Sequence, residues 1–138
     1  MVITKYISVR TAGNTDIIDI TRECQKIVDS AKQKNGVITI FNPGSTGGLT
    51  TIEFEPNLTK DFKEAMENIA PIDKAYHHHN TWHDDNGSSH VRSSVIGTSL
   101  SVPFVGGKLT LGTWQQIIFC DFDTSPRERE LVVQVIGE

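Results

Sequence analysis

The sequence has no long hydrophobic run, because no stretch approaches the roughly 18 apolar residues that a membrane-spanning helix needs. Its opening residues, MVITKYISVRTAG, alternate apolar and polar side chains and lack the continuous apolar region of a secretory signal peptide. The chain also lacks a basic excess, with 13 Lys and Arg against 17 Asp and Glu and no basic stripe. We therefore expect a cytoplasmic protein that binds neither membranes nor, in any general way, nucleic acid.

Cysteine is scarce, and Cys24 and Cys120 belong to no CxxC pair. The HExxH arrangement of many zinc enzymes is absent, and no lysine follows the glycine-rich stretch NPGSTGG to make a P-loop. Both cysteines are interpreted as buried thiols, with a cytosolic disulfide as the alternative. Any metal or phosphate site must therefore be built without these motifs.

Length and composition indicate a globular protein. The 138 residues are 37% hydrophobic and 22% charged. A chain of this size buries enough surface to form a core without disulfides or a structural metal. We expect a single domain over residues 1–138.

Hydrophobic periodicity predicts helices and strands that alternate early in the chain, followed mostly by strands. Strands are predicted near residues 2–10, 36–42 and 49–55 and over most of the chain after residue 97. Helices are predicted from Thr21 to a stop at Gly36, over residues 57–71, and between Asn86 and Gly97. Short turns between neighbouring strands favour a mostly antiparallel sheet, so the predicted class is α+β with two to three helices packed on the sheet.

All five histidines and two adjacent aspartates lie in one segment, YHHHNTWHDDNGSSH, residues 76–90. Imidazole is the commonest metal ligand and also the usual general acid or base at neutral pH. His79 and His83 would share a face only if their stretch were helical, and the turn-prone sequence DDNG favours a loop. From the residues alone, metal binding, a solvated histidine-rich loop and acid–base catalysis all stay open.

Other polar residues are candidates for ligand binding, each with a structural alternative. Ser45 and Thr46, in the NPGSTGG turn, could offer hydroxyl and backbone N–H donors to an anion. Alternatively, that turn needs its glycines only for positive φ. Glu53 and Glu55 lie two apart on a predicted strand and would share one side, either as ligands or base or as a solvent-facing pair.

Two segments near the C-terminus add further candidates. Trp114 and Gln115, in LGTWQQ, could line a pocket, although Trp114 could equally belong to the core. Arg127 and Arg129, in SPRERE, suit bidentate contacts with phosphate or carboxylate. The alternative for the arginines is a charged surface turn.

Three segments together resemble one family. NPGSTGGLTTIEFEP, YHHHNTWHDDNGSSHVRSSVIGTSLSVPF and GGKLTLGTWQQIIFCDFDTSPRERELVVQVIGE are similar to the YjbQ family, and the resemblance covers nearly the whole chain. Its most specific element is GKLTLGTWQQI. The resemblance implies an α+β fold around an antiparallel sheet, a homotrimer, and a polar, histidine-containing pocket near subunit contacts. It also implies secondary thiamine-phosphate synthase activity, which is attributed to part of the family.

The resemblance carries over residue by residue. The residues that match family positions are His78, His90, Asp84, Asp85, Asn86, Glu53, Trp114 and Gln115. His77 and His79 lack such matches and are interpreted as solvated neighbours, whereas His83 is intermediate. Gly44 and Ser88 depart from the family pattern, because histidine stands at the first position in many members and at the second in some.

These matches define the expected site. The expected ligands of a divalent metal ion, zinc first, are His78, His90 and His83. Catalytic roles are expected for His78, His90, Asp84 and Glu53. The residues expected to bind a phosphorylated small molecule are Ser45, Thr46, Asn86, Trp114, Gln115 and Arg127. The alternatives are a non-catalytic metal- or metabolite-binding protein, and a metal-independent hydrolase or transferase whose histidine base is oriented by Asp84.

Overall fold

The chain forms eight strands and four helices in a computed structural model that describes residues 1–138. The strands are β1 (Val2–Thr11), β2 (Asp16–Asp19), β3 (Gly36–Phe41), β4 (Gly47–Ile52), β5 (Ser99–Val105), β6 (Lys108–Leu109), β7 (Gln116–Asp121) and β8 (Arg127–Gly137). The helices are α1 (Thr21–Ala31), α2 (Pro56–Ile69), α3 (His79–Trp82) and α4 (Gly87–Ile96). None of these helices combines the length and hydropathy that crossing a membrane requires.

Two antiparallel sheets organise the fold. The larger sheet has the strand order β1-β8-β3-β5-β6, and the smaller has the order β2-β7-β4. Alternation along β1 buries Ile7 and Val9 and exposes Tyr6 and Ser8, as the two-residue period of a strand requires. The predicted α+β class with mostly antiparallel pairing is confirmed, with four helices where two to three were expected.

The main hydrophobic core lies under the larger sheet and α1 and also takes side chains from β4 and β7. Cys24 on α1 belongs to this core, while Cys120 on β7 belongs to a second cluster near α2. Burial raises the pKa of both thiols to about 12, so both stay protonated at neutral pH. The interpretation of both cysteines as buried, free thiols is confirmed.

The end of α1 differs from the prediction. The helix ends at Ala31, and the following Lys32 has a left-handed φ of 56° and donates its N–H to the Asp29 carbonyl. Gly36 instead begins β3, and a side chain there would collide with the Ile136 carbonyl. The glycine is therefore required by close strand packing, not by the helix end.

The stretch after β4 also differs. The strand ends at Ile52, so Glu53 and Glu55 are not a same-face strand pair. Glu55 instead caps α2, because its carboxylate accepts hydrogen bonds from the N–H groups of Asn57 and Leu58 at 2.9 and 2.8 Å. These bonds, that of Asn57 first, lower the pKa of the Glu55 carboxyl.

A buried ion cluster fastens β8 to the smaller sheet. The Arg129 guanidinium donates two hydrogen bonds to Asp121, each 2.9 Å long, and Arg127 donates to Asp123 at 2.9 Å. Burial opposes ionisation of the Asp121 carboxyl, but hydrogen bonds from Arg129, Thr11 and the Asp123 N–H outweigh it and lower its pKa. Two arginines thus neutralise two buried aspartates, with Arg129 largely shielded and the Arg127 side chain half exposed.

Removing one partner of this cluster should be costly. Arg129→Met should lower the free energy of unfolding by about 3–5 kcal/mol at neutral pH, because the buried Asp121 charge loses its partner. Arg10→Met is the matched control, since the side chains of Arg10 and its partner Glu128 are 85% and 78% exposed. Exposed pairs contribute only about 0–1 kcal/mol. Urea denaturation compares the two variants, and equal losses would contradict the assigned role of the buried cluster.

The pair of Asp121 and Arg129 also makes the free energy of unfolding depend on pH. Because the folded-state pKa of Asp121 is lowered, its contribution is fully present above the unfolded carboxyl value of about 3.9. The contribution is lost as the pH falls through the lower folded-state value. The stability gap between the wild type and Arg129→Met should therefore narrow below about pH 4. A gap that stays constant through that range would show that another group is responsible.

Candidate functional site

The two ends of the histidine segment meet in space. His78 immediately precedes α3 and His90 lies in the first turns of α4, yet their ring centroids are 4.5 Å apart at an interplanar angle of 42°. Both side chains are partly exposed. The pair that the family resemblance singled out is therefore a real juxtaposition in a single chain.

Hydroxyl groups on α4 fix the position of His90. The Ser89 hydroxyl donates to the Phe122 carbonyl, and the Ser93 hydroxyl donates to the Gly47 carbonyl at 2.6 Å. Both serines are buried, and their four-residue spacing places them on one face of the helix. These anchors were not predicted from the sequence, although two serines four residues apart in a predicted helix were the available signal.

A buried arginine anchors the other side of α4. Arg92 donates to the Ala70 carbonyl at the end of α2 and to the Thr15 hydroxyl, at 2.9 to 3.0 Å. It also pairs with Glu67 at 2.7 Å. Because Arg92 satisfies a helix-terminal carbonyl that would otherwise be orphaned, it ties α2 to α4 and holds the histidine segment between them.

Two histidine–aspartate contacts shape the segment between His78 and His90. His78 Nδ1 lies 3.4 Å from an Asp84 carboxylate oxygen, and His79 Nδ1 lies 2.8 Å from one of Asp85. Neither Nδ1 has a hydrogen-bond partner of good geometry. The chain folds back through a left-handed Asp85, whose φ is 53°. Each contact leaves the Nε2 atom of its imidazole directed away from the carboxylate.

Asn86 begins α4 as predicted, and Gly97 follows its end. The Asn86 side chain forms no capping hydrogen bond, however, and its Oδ1 is buried without a partner. A buried amide oxygen without a donor is costly. Asn86 is therefore a group that a bound ligand with an N–H or O–H donor would satisfy.

The third predicted nitrogen ligand lies elsewhere. The prediction of a loop over residues 79–83 was wrong, because α3 forms there and its turn brings His83 against His79, with ring centroids 5.4 Å apart. Accordingly, His78, His83 and His90 do not converge, and no three His, Cys, Asp or Glu side chains in the chain are grouped as metal ligands. Glu53, beyond the end of β4, is exposed and forms no hydrogen bond or ion pair.

The predicted pocket wall around Trp114 is also absent from a single chain. Trp114 is 73% exposed, so it belongs neither to the core nor to an enclosed pocket. Gln115 donates to the Thr51 hydroxyl and accepts from the Gly112 N–H, both at 3.0 Å. The Gln115 amide thus holds its own turn against β4.

The glycine-rich turn between β3 and β4 has a structural role in packing. Its glycines do not have positive φ, contrary to the alternative weighed above. A side chain at Gly47 would come within 2.8 Å of the Phe119 ring, and one at Gly48 within 2.8 Å of Ile96. Close packing therefore requires these glycines.

The polar groups of that turn are largely engaged. Thr46 is buried, accepts a hydrogen bond from Arg129 at 2.7 Å and contacts Asp123 at 3.3 Å. The Thr46 carbonyl also accepts from the Phe122 N–H, next to the carbonyl that Ser89 bonds. Ser45 is exposed and keeps its hydroxyl free. The turn and the start of α4 are thus fastened to the same residue.

The largest cavity opens beside His79, not between His78 and His90. It has a volume of about 600 Å³, and its lining includes Tyr76, His79, Asp85 and Gly87. The Tyr76 hydroxyl donates to the Pro71 carbonyl at 2.6 Å, which fixes one wall. Burial raises the pKa of Tyr76.

The sequence and fold match a known family. A family model for UPF0047 protein YjbQ-like matches residues 5–138. The chain belongs to this family. It is 36% identical over 130 residues to a UPF0047 protein of Archaeoglobus fulgidus, an alignment that covers 94% of this chain and 98% of that protein. It is 32% identical to UPF0047 protein YugU of Bacillus subtilis, over 96% of this chain and 98% of YugU.

Solved structures of family relatives share the fold. A YbjQ-like protein of unknown function from Sulfolobus solfataricus superposes with a TM-score of 0.94 at 31% identity, covering 100% of this chain and 99% of that one. A hypothetical protein from Aeropyrum pernix gives 0.90 at 31% identity, covering 98% of both chains. None of these descriptions names a reaction, ligand or metal, so a function has to be argued from the site.

A substitution at Gly87 tests how tightly the start of α4 packs against Tyr76. A β-carbon at this position would lie 2.5 Å from the Tyr76 β-carbon. Gly87→Ala should therefore lower the free energy of unfolding by about 1–3 kcal/mol, although helix propensity alone predicts a gain. Gly112→Ala is the control, because its nearest contact would be 3.7 Å, and it should change stability by less than about 0.5 kcal/mol. Urea denaturation measures the free energy of unfolding of both variants. If Gly87→Ala is as stable as the wild type, this packing is contradicted.

Proposed function

We propose that this UPF0047 protein binds a divalent metal ion, zinc first, through the imidazoles of His78 and His90. The observation that supports this is their 4.5 Å ring separation. Nitrogens bound to zinc lie about 2.0–2.1 Å from the ion, so two of them lie within about 4 Å of each other. The two facing rings suit that requirement with small rotations.

The surroundings of His78 fit a metal ligand. A carboxylate at the second nitrogen commonly orients a metal-binding imidazole and fixes its tautomer. Asp84 lies beside Nδ1 of His78, at 3.4 Å, which leaves Nε2 as the nitrogen that we propose for metal binding. Asp84 is then a positioning residue. Both donors are neutral nitrogens, as a borderline metal prefers.

Two imidazoles leave several coordination positions open, as in catalytic sites and unlike closed structural sites. When bound, a divalent ion would supply positive charge to polarise a ligand oxygen or stabilise a departing phosphate group. Asn86 offers its unpaired amide to the same ligand. A neighbouring subunit could add further groups, since Glu53 is exposed and offers a carboxylate ligand, and Trp114 is exposed and offers an indole N–H to the bound molecule.

For the substrate we propose a phosphorylated small molecule, with thiamine-phosphate synthesis as the reaction to assay first. Ser45 offers a free hydroxyl, and Arg127 is half exposed. Both Arg127 and Arg129 are already balanced by aspartates, and the Thr46 hydroxyl is engaged. Support for phosphate binding by these residues is accordingly weaker than support for the histidine pair.

A metal-independent reaction is the second candidate, because the contact between Asp84 and His78 also suits a histidine general base. The two candidates differ in one respect that can be measured. Chelation by EDTA abolishes activity in a metal-dependent reaction and leaves a metal-independent one unchanged.

We further propose that the chain assembles as a homotrimer. Two apolar rows cross the outer face of the larger sheet, and no helix covers them. The rows are Val2–Ile136–Val37 and Tyr6–Val132–Phe41. Contiguous exposed apolar surface of this kind marks interaction sites, and cyclic symmetry is a common way to close homo-oligomers.

The metal assignment predicts a specific loss. After zinc loading and gel filtration of the untagged protein, His78→Ala/His90→Ala should hold one equivalent of zinc fewer than the wild type, measured by mass spectrometry of the metal. His77→Ala is the control because His77 is exposed in the same segment and forms no imidazole pair. Unchanged zinc content in the double variant would refute the site.

The assembly proposal is tested by light scattering. The wild type should have three times the 15.3 kDa mass of one chain at micromolar concentration. Phe41→Glu, within an apolar row, should lower that mass, because it would place a charge in the interface. Val105→Glu is the control, since Val105 is exposed beyond the pairing of β5 with β3. A wild-type monomer mass would refute the trimer.

A further inference from the structure

We infer that His79 and His83 form a second metal-binding site, separate from the His78–His90 pair. The one-turn helix α3 creates it: the N–H of His83 bonds to the His79 carbonyl at 2.8 Å, so the two side chains lie one turn apart. Their ring centroids are 5.4 Å apart and the rings are nearly perpendicular, at 88°. Two histidines at this four-residue spacing are a chelating arrangement known from zinc enzymes.

A carboxylate supports the first of these histidines. An Asp85 oxygen lies 2.8 Å from His79 Nδ1. The carboxylate therefore flanks the Nδ1 side of the ring and leaves Nε2 of His79 as the atom available for coordination. The contact between Asp85 and His79 thus resembles the contact between Asp84 and His78, with both residues shifted by one position along the chain.

Backbone conformation also marks this position. His83 and Asp85 both adopt left-handed conformations, with φ of 57° and 53°. Such conformations are uncommon outside glycine and persist when surrounding contacts hold them, often at functional sites. Here they turn the chain so that the Asp85 carboxylate returns to His79 after the helix has placed His83 beside it.

The site is accessible. His79 and Asp85 are part of the lining of the cavity of about 600 Å³, next to Tyr76 and Lys74. An ion bound by the two imidazoles would therefore keep water or a small anion in its remaining positions. Because only two protein nitrogens bind it, the ion should exchange more readily than one in a closed site.

The donor chemistry selects the class of ion. Imidazole nitrogens suit Cu²⁺, Ni²⁺ and Zn²⁺, whereas Mg²⁺ and Ca²⁺ prefer oxygen ligands. We therefore expect binding of Ni²⁺, a convenient member of the first group, and no binding of Mg²⁺ at His79 and His83.

Calorimetric titration of the untagged full chain with Ni²⁺ tests the inference. His79→Gln/His83→Gln should remove one binding event of the wild type or weaken it at least tenfold, while His77→Gln should leave it unchanged. His78→Ala/His90→Ala should retain this event, so failure of the proposed function would not remove it. Circular dichroism verifies that each variant is folded.

The single variant His83→Gln decides the question if the double variant does not fold, because His83 is exposed at the end of α3. It should also weaken that event at least tenfold. Wild-type Ni²⁺ binding in His79→Gln/His83→Gln or, failing its folding, in His83→Gln would overturn the inference. Loss of the same event in His77→Gln, or equal binding of Mg²⁺, would overturn it too.

Discussion

The hydrogen bonds that anchor α4 to the smaller sheet are the constraint on which the candidate site depends. Ser89 and Ser93 donate to main-chain carbonyls just beyond β7 and at the start of β4. A buried hydroxyl that lost its acceptor would incur a desolvation cost of about 1–3 kcal/mol, so the helix has one strongly preferred seat. The docked position of α4 fixes the position of His90. Because Arg92 also ties α2 to α4, the chain between these two helices has to pass close to His90. The proximity of His78 and His90 follows from how this helix docks.

The arginine–aspartate pairs near the C-terminus and the histidine–aspartate contacts of residues 76–90 play different parts in the structure. Arg127 and Arg129 near the C-terminus are matched by the buried Asp121 and Asp123 and join β8 to the smaller sheet. In the segment from Tyr76 to His90, by contrast, all five histidines are at least partly exposed, and the two histidine–aspartate contacts leave imidazole nitrogens unengaged. The proposed site therefore lies in the segment held between α2 and α4, whereas the arginines contribute mainly stability.

Much of the fold could be predicted from the sequence because local patterns determine it. Alternation identified β1, a compact apolar run identified β3, and Asn86 and Gly97 bracketed α4 correctly, whereas β2 was not predicted. The end of α1 could not be located, since the signal at Gly36 reflects contact with β8, which lies far away in sequence. Glu53 and Glu55 were misassigned for a related reason: the strand pairing of β4 stops at Ile52, and Glu55 is recruited as a helix cap.

The candidate site was predictable only in part. Spacing within the segment left its role open, and the resemblance to the family selected His78 and His90. His83 was misplaced because a single helical turn, too short to leave a periodic pattern, pairs it with His79. The cavity beside Tyr76 and the serine hydrogen bonds of α4 both arise from tertiary packing. No local sequence pattern predicted the cavity. The hydrogen bonds were indicated only by the spacing of the two serines.

The most direct test of the account is anomalous diffraction at the zinc absorption edge from crystals of the untagged protein grown with zinc. An anomalous peak is expected between His78 Nε2 and a nitrogen of His90, about 2.0–2.1 Å from each. Zinc peaks elsewhere in the chain with none between these two imidazoles would contradict it.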